Sequence, residues 1–308
     1  MKRIIIFLTC IMSFAITLLR AQNCEIPLIP YVQDVKEPLP DDAHSFLETK
    51  LTQIATQNGI GIGTGFGQFY LMSKFTLLSK DIVSGSPMMI SQRVNVALSI
   101  VDYFGEKVIA STNIELQATG QNESKAFING IRSLNPANPK IQAFIKTGKE
   151  KMLDYYNNNA GNIVKKAQNL AVMKKYEEAL FYLASIPECS KGYDMAIAEG
   201  KKVYRAYIDY NCQRNLMEAR AAWAASPNAN GAMLAGDYLV KIEPDANCYT
   251  EALSLYNEIK SSVKEDWKFE FKNYDERALE RERINAFREV GVAFGKGQQP
   301  STTILHRF

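Results

Sequence analysis

Lys175-Tyr-Glu-Glu-Ala-Leu-Phe-Tyr-Leu183, Asn215-Leu-Met-Glu-Ala-Arg-Ala-Ala-Trp223 and Cys248-Tyr-Thr-Glu-Ala-Leu-Ser-Leu-Tyr256 share one pattern. Each carries Glu-Ala in its middle, at Ala179, Ala219 and Ala252, and a large apolar residue four positions later, at Leu183, Trp223 and Tyr256. The alanines recur 40 and then 33 residues apart. Positions four apart lie on one face of a helix. A small residue there lets two helices cross closely, and the bulky one fills the neighbouring groove. One helical hairpin cannot bury such a face alone, so neighbours must stack. The stretch from Asn162 to Ser262 therefore reads as a stack of helical hairpins, an architecture for binding and not for chemistry.

The pattern resembles tetratricopeptide repeats, best at Tyr176, Ala179 and Leu183 and at Tyr249, Ala252 and Tyr256. Pro187 and Pro227 each follow the alanine by eight residues, where they would end the helix. The resemblance covers about a third of the chain. The spacing is uneven, and the Trp and Leu-Gly of the family's first helix are missing. An ordinary helical bundle is the alternative.

The N-terminus reads as an export signal over residues 1–21. Lys2 and Arg3 precede an apolar run from Ile4 to Leu19, and Ala21 supplies the small residue at a cleavage point. The run is shorter than the ~20 residues of a stable membrane span, and an uncleaved anchor is the alternative. The whole chain holds 36 basic and 33 acidic residues. The signal contains Lys2, Arg3 and Arg20 and no acid, so the remainder carries equal numbers of each sign. The apparent basicity belongs to the signal and gives no support for nucleic-acid binding. Length and a composition of 46% hydrophobic and 22% charged residues suit two soluble domains.

An α+β class follows from the order of elements after the signal. Residues 22–40, with four prolines, read as an extended leader. Over 41–157 a small αβ domain is expected. Its first helix carries Leu47, Leu51 and Ile54, with Ser45 and Glu48 as a capping box and Asn58-Gly59 as its end. Gly59-Ile-Gly-Ile-Gly-Thr-Gly-Phe-Gly67 lacks the GxGxxG and P-loop patterns, and it leads into a strand instead of a helix. It reads as a bulged strand entry and not as a phosphate cradle. Strands are expected over Phe69–Leu78, Arg93–Tyr103 and Lys107–Ala118, the last two joined by the Asp102-Tyr-Phe-Gly105 turn. Two helices follow, one capped by Asn122 or Ser124 and one carrying Ile141, Phe144, Ile145 and Met152. The sheet is expected to be antiparallel with one face covered.

The segments Ile100-Val-Asp, Ala110-Ser-Thr and Thr119-Gly-Gln-Asn-Glu-Ser-Lys-Ala126-Phe are similar to the periplasmic αβ domain of the curli-secretion channel family and to the N-terminal domain of TolB-type proteins. That resemblance implies assembly at the outer membrane through protein–protein contact. A generic α+β sandwich is the alternative.

The helical repeat domain is expected over 158–294, closed by a charged capping helix, Asp275 to Glu289, with Leu279, Ala286, Val290 and Ala293 on its apolar face. Residues 295–308 read as a mobile tail. Four cysteines follow the signal: Cys24, Cys189, Cys212 and Cys248. Residues 190–211 read as one helix, about 30 Å long at 1.5 Å per residue. Cys189 and Cys212 would then stand at opposite ends, beyond the ~7 Å limit for a bridge. In an up-down stack the turns at Cys212 and Cys248 fall at one end. This predicts Cys212–Cys248, with Cys189 free or paired to Cys24. The alternative is four reduced cysteines acting as small apolar fillers.

No HExxH, GxSxG or CxxC occurs, and neither His44 nor His306 sits in a motif, so no catalytic residue, metal site or cofactor is expected. Asp41-Asp42 and Glu177-Glu178 read as helix-start and solvent-facing acids. Tyr193, Tyr204, Tyr207, Trp223 and Tyr238 are candidates to line a partner groove, although such aromatics more often pack between repeats. The expected function is an exported, periplasmic or outer-membrane-associated scaffold that binds an envelope protein, a peptide segment or further copies of itself. A periplasmic glycan- or peptide-processing hydrolase with a carboxylate site assembled in space is the second reading.

Overall fold

A computed structural model of the chain describes residues 26–33, 41–63, 65–263 and 279–307, with the side chains of 41, 42 and 279–281 outside that description. The signal segment, Cys24 and residues 264–278 lie outside the described residues. The class is α+β: a four-stranded sheet, then a helical stack. The chain divides into two units. The sheet unit comprises 1–160, 185–193 and 295–308; the helical unit comprises 161–184 and 194–294.

In the sheet unit the strands are β1 (Ile29–Val32), β2 (Phe69–Val83), β3 (Met89–Asp102) and β4 (Lys107–Gly120), in spatial order 1-2-3-4. The hairpins β2–β3 and β3–β4 are antiparallel, with Phe75 opposite Val96 and Val96 opposite Ile114. The sheet is nevertheless mixed. β1 runs parallel to β2, pairing Ile29 with Tyr70 and Val32 with Ser73. Within the stretch read as a leader, Ile29–Val32 thus belong to the sheet, and Ile26 and Leu28 are fully buried.

Helix α1 (Asp41–Gln57) starts upstream of the expected Ser45 box and buries Ala43, Leu47, Leu51 and Ile54. Helix α2 (Glu123–Ser133) is capped by Asn122, whose side chain accepts from the Lys125 N–H. The next helix, α3, spans Pro139–Val172 and so runs about four turns beyond residue 157, where the αβ domain was expected to end. One sheet face rests on these helices: Phe69 meets the rings of Tyr155 and Tyr156 edge-on, and Phe75 meets Phe127.

The other face is covered at one end by the C-terminus. Helix α9 (Thr302–Leu305) buries Leu305 completely against Ile29, Tyr70, Met72, Val101 and Tyr103. The Ser301 N–H donates to the Tyr103 hydroxyl at 2.9 Å, and Arg307 pairs with Glu106 at 2.5 Å. Residues expected as a mobile tail are therefore packed, because a sheet exposing Tyr70, Met72 and Val101 needs an apolar cover. The glycine-rich stretch serves the same region. Gly65, at φ +81°, lies so close to the chain at Gly295 that a Cβ would stand 2.8 Å from its carbonyl oxygen, and the Phe66 N–H donates to that oxygen.

The helical unit contains the end of α3, then α4 (Tyr176–Ala184), most of α5 (Tyr193–Ala225), α6 (Ala229–Leu239), α7 (Tyr249–Val263) and most of α8 (Leu279–Gly297). Ala179, Ala219 and Ala252 are all fully buried. The expected turn at Cys212 is absent: α5 runs unbroken through it, and the 215–223 segment is the last part of that one helix. Cys212 is bonded to Cys248, just ahead of α7, with a Cα separation of 6.0 Å. Cys189 is also disulfide-bonded. On α8 Phe287 is fully buried, Ala286 and Val290 of the expected apolar face are partly buried, and Ala293 is exposed. Gly200 makes room for Phe287: a Cβ there would stand 2.9 Å from the Phe287 ring. Among the described residues no helix is long and apolar enough to cross a membrane.

Candidate functional site

The helical unit holds an open cavity of about 430 Å³. Four pieces of chain build it: the turn after α3 with Lys174 and Lys175, the first turn of α4 with Tyr176, Glu177 and Glu178, the middle of α5 with Tyr207, Tyr210, Asn211 and Arg214, and Phe294 of α8. Its size lies in the range of small-ligand and side-chain pockets.

The turn into α4 sets the rim. Lys174 takes the left-handed conformation, φ +58°, at the position that usually falls to glycine after a helix. The Lys175 N–H reaches back to the Leu170 carbonyl and the Lys174 N–H to Ala171, which closes α3. Lys174 Nζ then stands 5.4 Å from the centre of the Tyr210 ring. The tyrosines form a cluster, with Tyr176 at 5.7 Å from Tyr210 and 6.4 Å from Tyr207 between ring centres. Phe294 is anchored by Phe181, 5.9 Å away.

The lining acids already have partners. Glu178 pairs with Lys175 at 3.8 Å, and Glu177 accepts from the Tyr207 hydroxyl at 3.3 Å. Burial pushes the Tyr207 hydroxyl above its ordinary pKa, and the Glu177 charge adds to the shift. It therefore stays protonated and remains a donor at neutral pH.

Of the five aromatics singled out from the sequence, Tyr207 lines this cavity. Tyr204, Trp223 and Tyr238 are half-buried against the core of Leu216, Ala219, Ala235 and Leu239. Trp223 donates its indole N–H to Glu258 at 3.1 Å. Lys241 stands 5.2 Å from the Tyr238 ring centre. Burial, reinforced by the Glu243 charge, pushes the Tyr204 hydroxyl up to about 12. Tyr193 belongs to the sheet unit, where its hydroxyl donates to Glu188. Within the helical unit, Tyr204 and Tyr207 stand 6.2 Å apart between ring centres. Lys174, Arg214 and Phe294 carried no signal in the sequence, because a surface Lys or Arg is ordinary and their convergence is tertiary.

A second polar cluster lies beside the disulfide. Asp245 accepts from Arg205 at 3.0 Å and from Arg283 at 2.6 Å, and Asp209 holds Asn247 through two hydrogen bonds of 2.7 and 2.8 Å. Burial pushes the Asp245 carboxyl up, but hydrogen bonds from Arg283 and Arg205, together with their charges, outweigh it and hold the pKa below the ordinary value. A carboxylate held ionised in this way ties the loop between α6 and α7 to α5 and α8; it has no proton to lend as a general acid.

No family model matches the chain, and no curated protein matches it. A minor lipoprotein from Acinetobacter baumannii aligns with 41% of this chain and 94% of its own, at 17% identity and a TM-score of 0.27. The PelC dodecamer from Paraburkholderia phytofirmans aligns over 36% of this chain and 86% of its own, at 14% identity and a TM-score of 0.25. Similarities of this size carry no inference about what this chain does.

Proposed function

We propose that the chain is an exported envelope protein that works by binding. Its helical unit, built of tetratricopeptide-like hairpins, holds a segment of a partner. Its sheet unit, of the curli-channel and TolB-like type, assembles with envelope proteins or with copies of itself. The observation that carries this reading is the cavity on α4 and α5. It combines half-exposed tyrosines with cations, the composition of side-chain anchoring sites, and the two acids that line it are already bound to Lys175 and Tyr207. Two disulfide-bonded positions, at Cys189 and at Cys212–Cys248, fit an oxidising compartment.

The test is crosslinking in intact cells, followed by mass spectrometry of what co-purifies. A stoichiometric envelope protein crosslinked through residues 162–262 is the expected result. Recovery of a monomer without partner, from cells in which known complexes do crosslink, would overturn the reading and return attention to a hydrolase.

A further inference from the structure

The lining charges of the cavity do not balance, and the imbalance specifies a ligand. Of its three cations, Lys175 is paired with Glu178. Lys174 leans on the Tyr210 ring. Arg214 is exposed on the middle of α5 and makes no hydrogen bond or ion pair among the described residues. The remaining acid, Glu177, is held by the Tyr207 hydroxyl. Three cations against two carboxylates leave the lining with an excess of one positive charge, and both carboxylates already have partners within it. Beside them stand the faces of Tyr176 and Tyr210 and the ring of Phe294, which favour an apolar or aromatic body.

We infer that this cavity binds an acidic, aromatic-bearing peptide segment, with a carboxylate placed between Arg214 and Lys174 and the neighbouring aromatic side chain against Tyr176, Tyr210 and Phe294. The inference deepens the binding reading above and rests on it. A guanidinium takes a carboxylate through two parallel hydrogen bonds, which an ammonium cannot do, so Arg214 sets the preference and Lys174 adds charge. A cavity of about 430 Å³ accepts a pair of adjacent side chains, which an extended segment can present.

The probe is a short, acetylated, fluorescein-labelled peptide alternating aspartate and phenylalanine, measured by anisotropy against the full exported chain. Its counterpart carries asparagine at every aspartate. The aspartate peptide should bind at least about tenfold tighter, the value of one charge-assisted hydrogen bond, and lose most of that margin in high salt. Arg214→Gln should collapse the margin while leaving the thermal melt unchanged, since Arg214 makes no hydrogen bond or ion pair among the described residues. Lys174→Met should reduce it by a smaller factor. Equal binding of the two peptides overturns the anionic preference even where cell crosslinking recovers a partner, so the binding reading would survive it. Absence of binding by either peptide, with a partner crosslinked at another face, overturns the cavity as the site. An unchanged margin in Arg214→Gln overturns the role given to that residue.

Discussion

In the sheet unit, large side chains fill the interior: Phe69, Tyr70, Leu71, Leu98 and Ile100 are fully buried on adjoining strands. In the helical unit many of the closest positions are small: Ala179, Ala219, Ala235 and Ala252 are equally buried. An alanine removes little apolar surface from water, at about 25 cal/mol per Å², so a stack joined through alanines gains less from burial than a sheet layered with aromatics. The helical unit compensates with local ties. The Cys212–Cys248 bond, the Asp245–Arg205–Arg283 cluster and the Phe287 anchor lie on α5, α8 and the loop before α7. The sheet unit shows the reverse weakness: Gln92 is buried on β3 with neither amide atom of its side chain hydrogen-bonded. The contrast is one of proportion, since Leu180, Leu239, Ile259 and Phe287 are also fully buried in the helical unit.

The sharpest way to break this contrast is to remove the fully buried Phe287 of α8. Phe287→Ala should cost about 4 kcal/mol, because the cavity it leaves over Gly200 cannot close. Hydrogen exchange should show lost protection in the helical unit and retained protection in β2 and β3. Equal loss in both units would end the contrast.

Replacing both Cys212 and Cys248 by serine comes next. The bond spans 36 residues, and the chain-entropy model gives a loss of about 3–4 kcal/mol, confined to the helical unit. Urea unfolding monitored at Trp223 would read it. A midpoint unmoved within error would mean that packing alone holds the α6–α7 loop.

Asp245→Asn should cost about 2 kcal/mol, since two guanidinium groups lose their shared acceptor. Its pH signature has a definite sign. The folded carboxyl lies below the ordinary value, so its stabilisation is present above about pH 4 and is lost as pH falls through the folded pKa. The variant should therefore be less stable than the parent at neutral pH and converge on it in acid. Parallel pH profiles would remove the ion cluster from the account.

The smallest effect expected is a gain. Gln92→Met relieves two unpaired buried atoms at nearly constant volume and should raise the stability of the sheet unit by about 1 kcal/mol. A loss there would show that Gln92 has a role the contrast omits.

Much of the fold class is legible in residue order. Alternation through Val94, Val96, Leu98 and Ile100 can only be a half-buried strand, and turn chemistry at Asp102–Gly105 joins it to the next. The alanine–bulky pattern declares helices that must stack. The leader is different: four prolines conceal a four-residue strand, because a short parallel pairing leaves no periodicity to detect. The continuity of α5 through Cys212 was equally hidden, since no glycine or proline marks, or forbids, a turn there.

For the candidate site the division is sharper. Aromatic residues at helical spacing are visible in sequence, and Tyr207 was among those singled out. Whether such a residue faces core, solvent or a cavity depends on which neighbour covers it. Trp223 and Tyr238 lie against their own core, while Tyr176 and Tyr210 meet across a cavity only because α4 and α5 bring them together.

By itself the sequence determined the α+β class and the helical stack, because these follow from local periodicity, and periodicity is written in nearest neighbours. Tertiary structure alone decided that β1 and the C-terminal helix close the sheet, that Phe287 of α8 seats over Gly200, and that Arg214 and Lys174, 40 residues apart in the chain, line one cavity. Those facts depend on which surfaces are left uncovered once the elements form. Burial and charge pairing settle that over the whole chain at once.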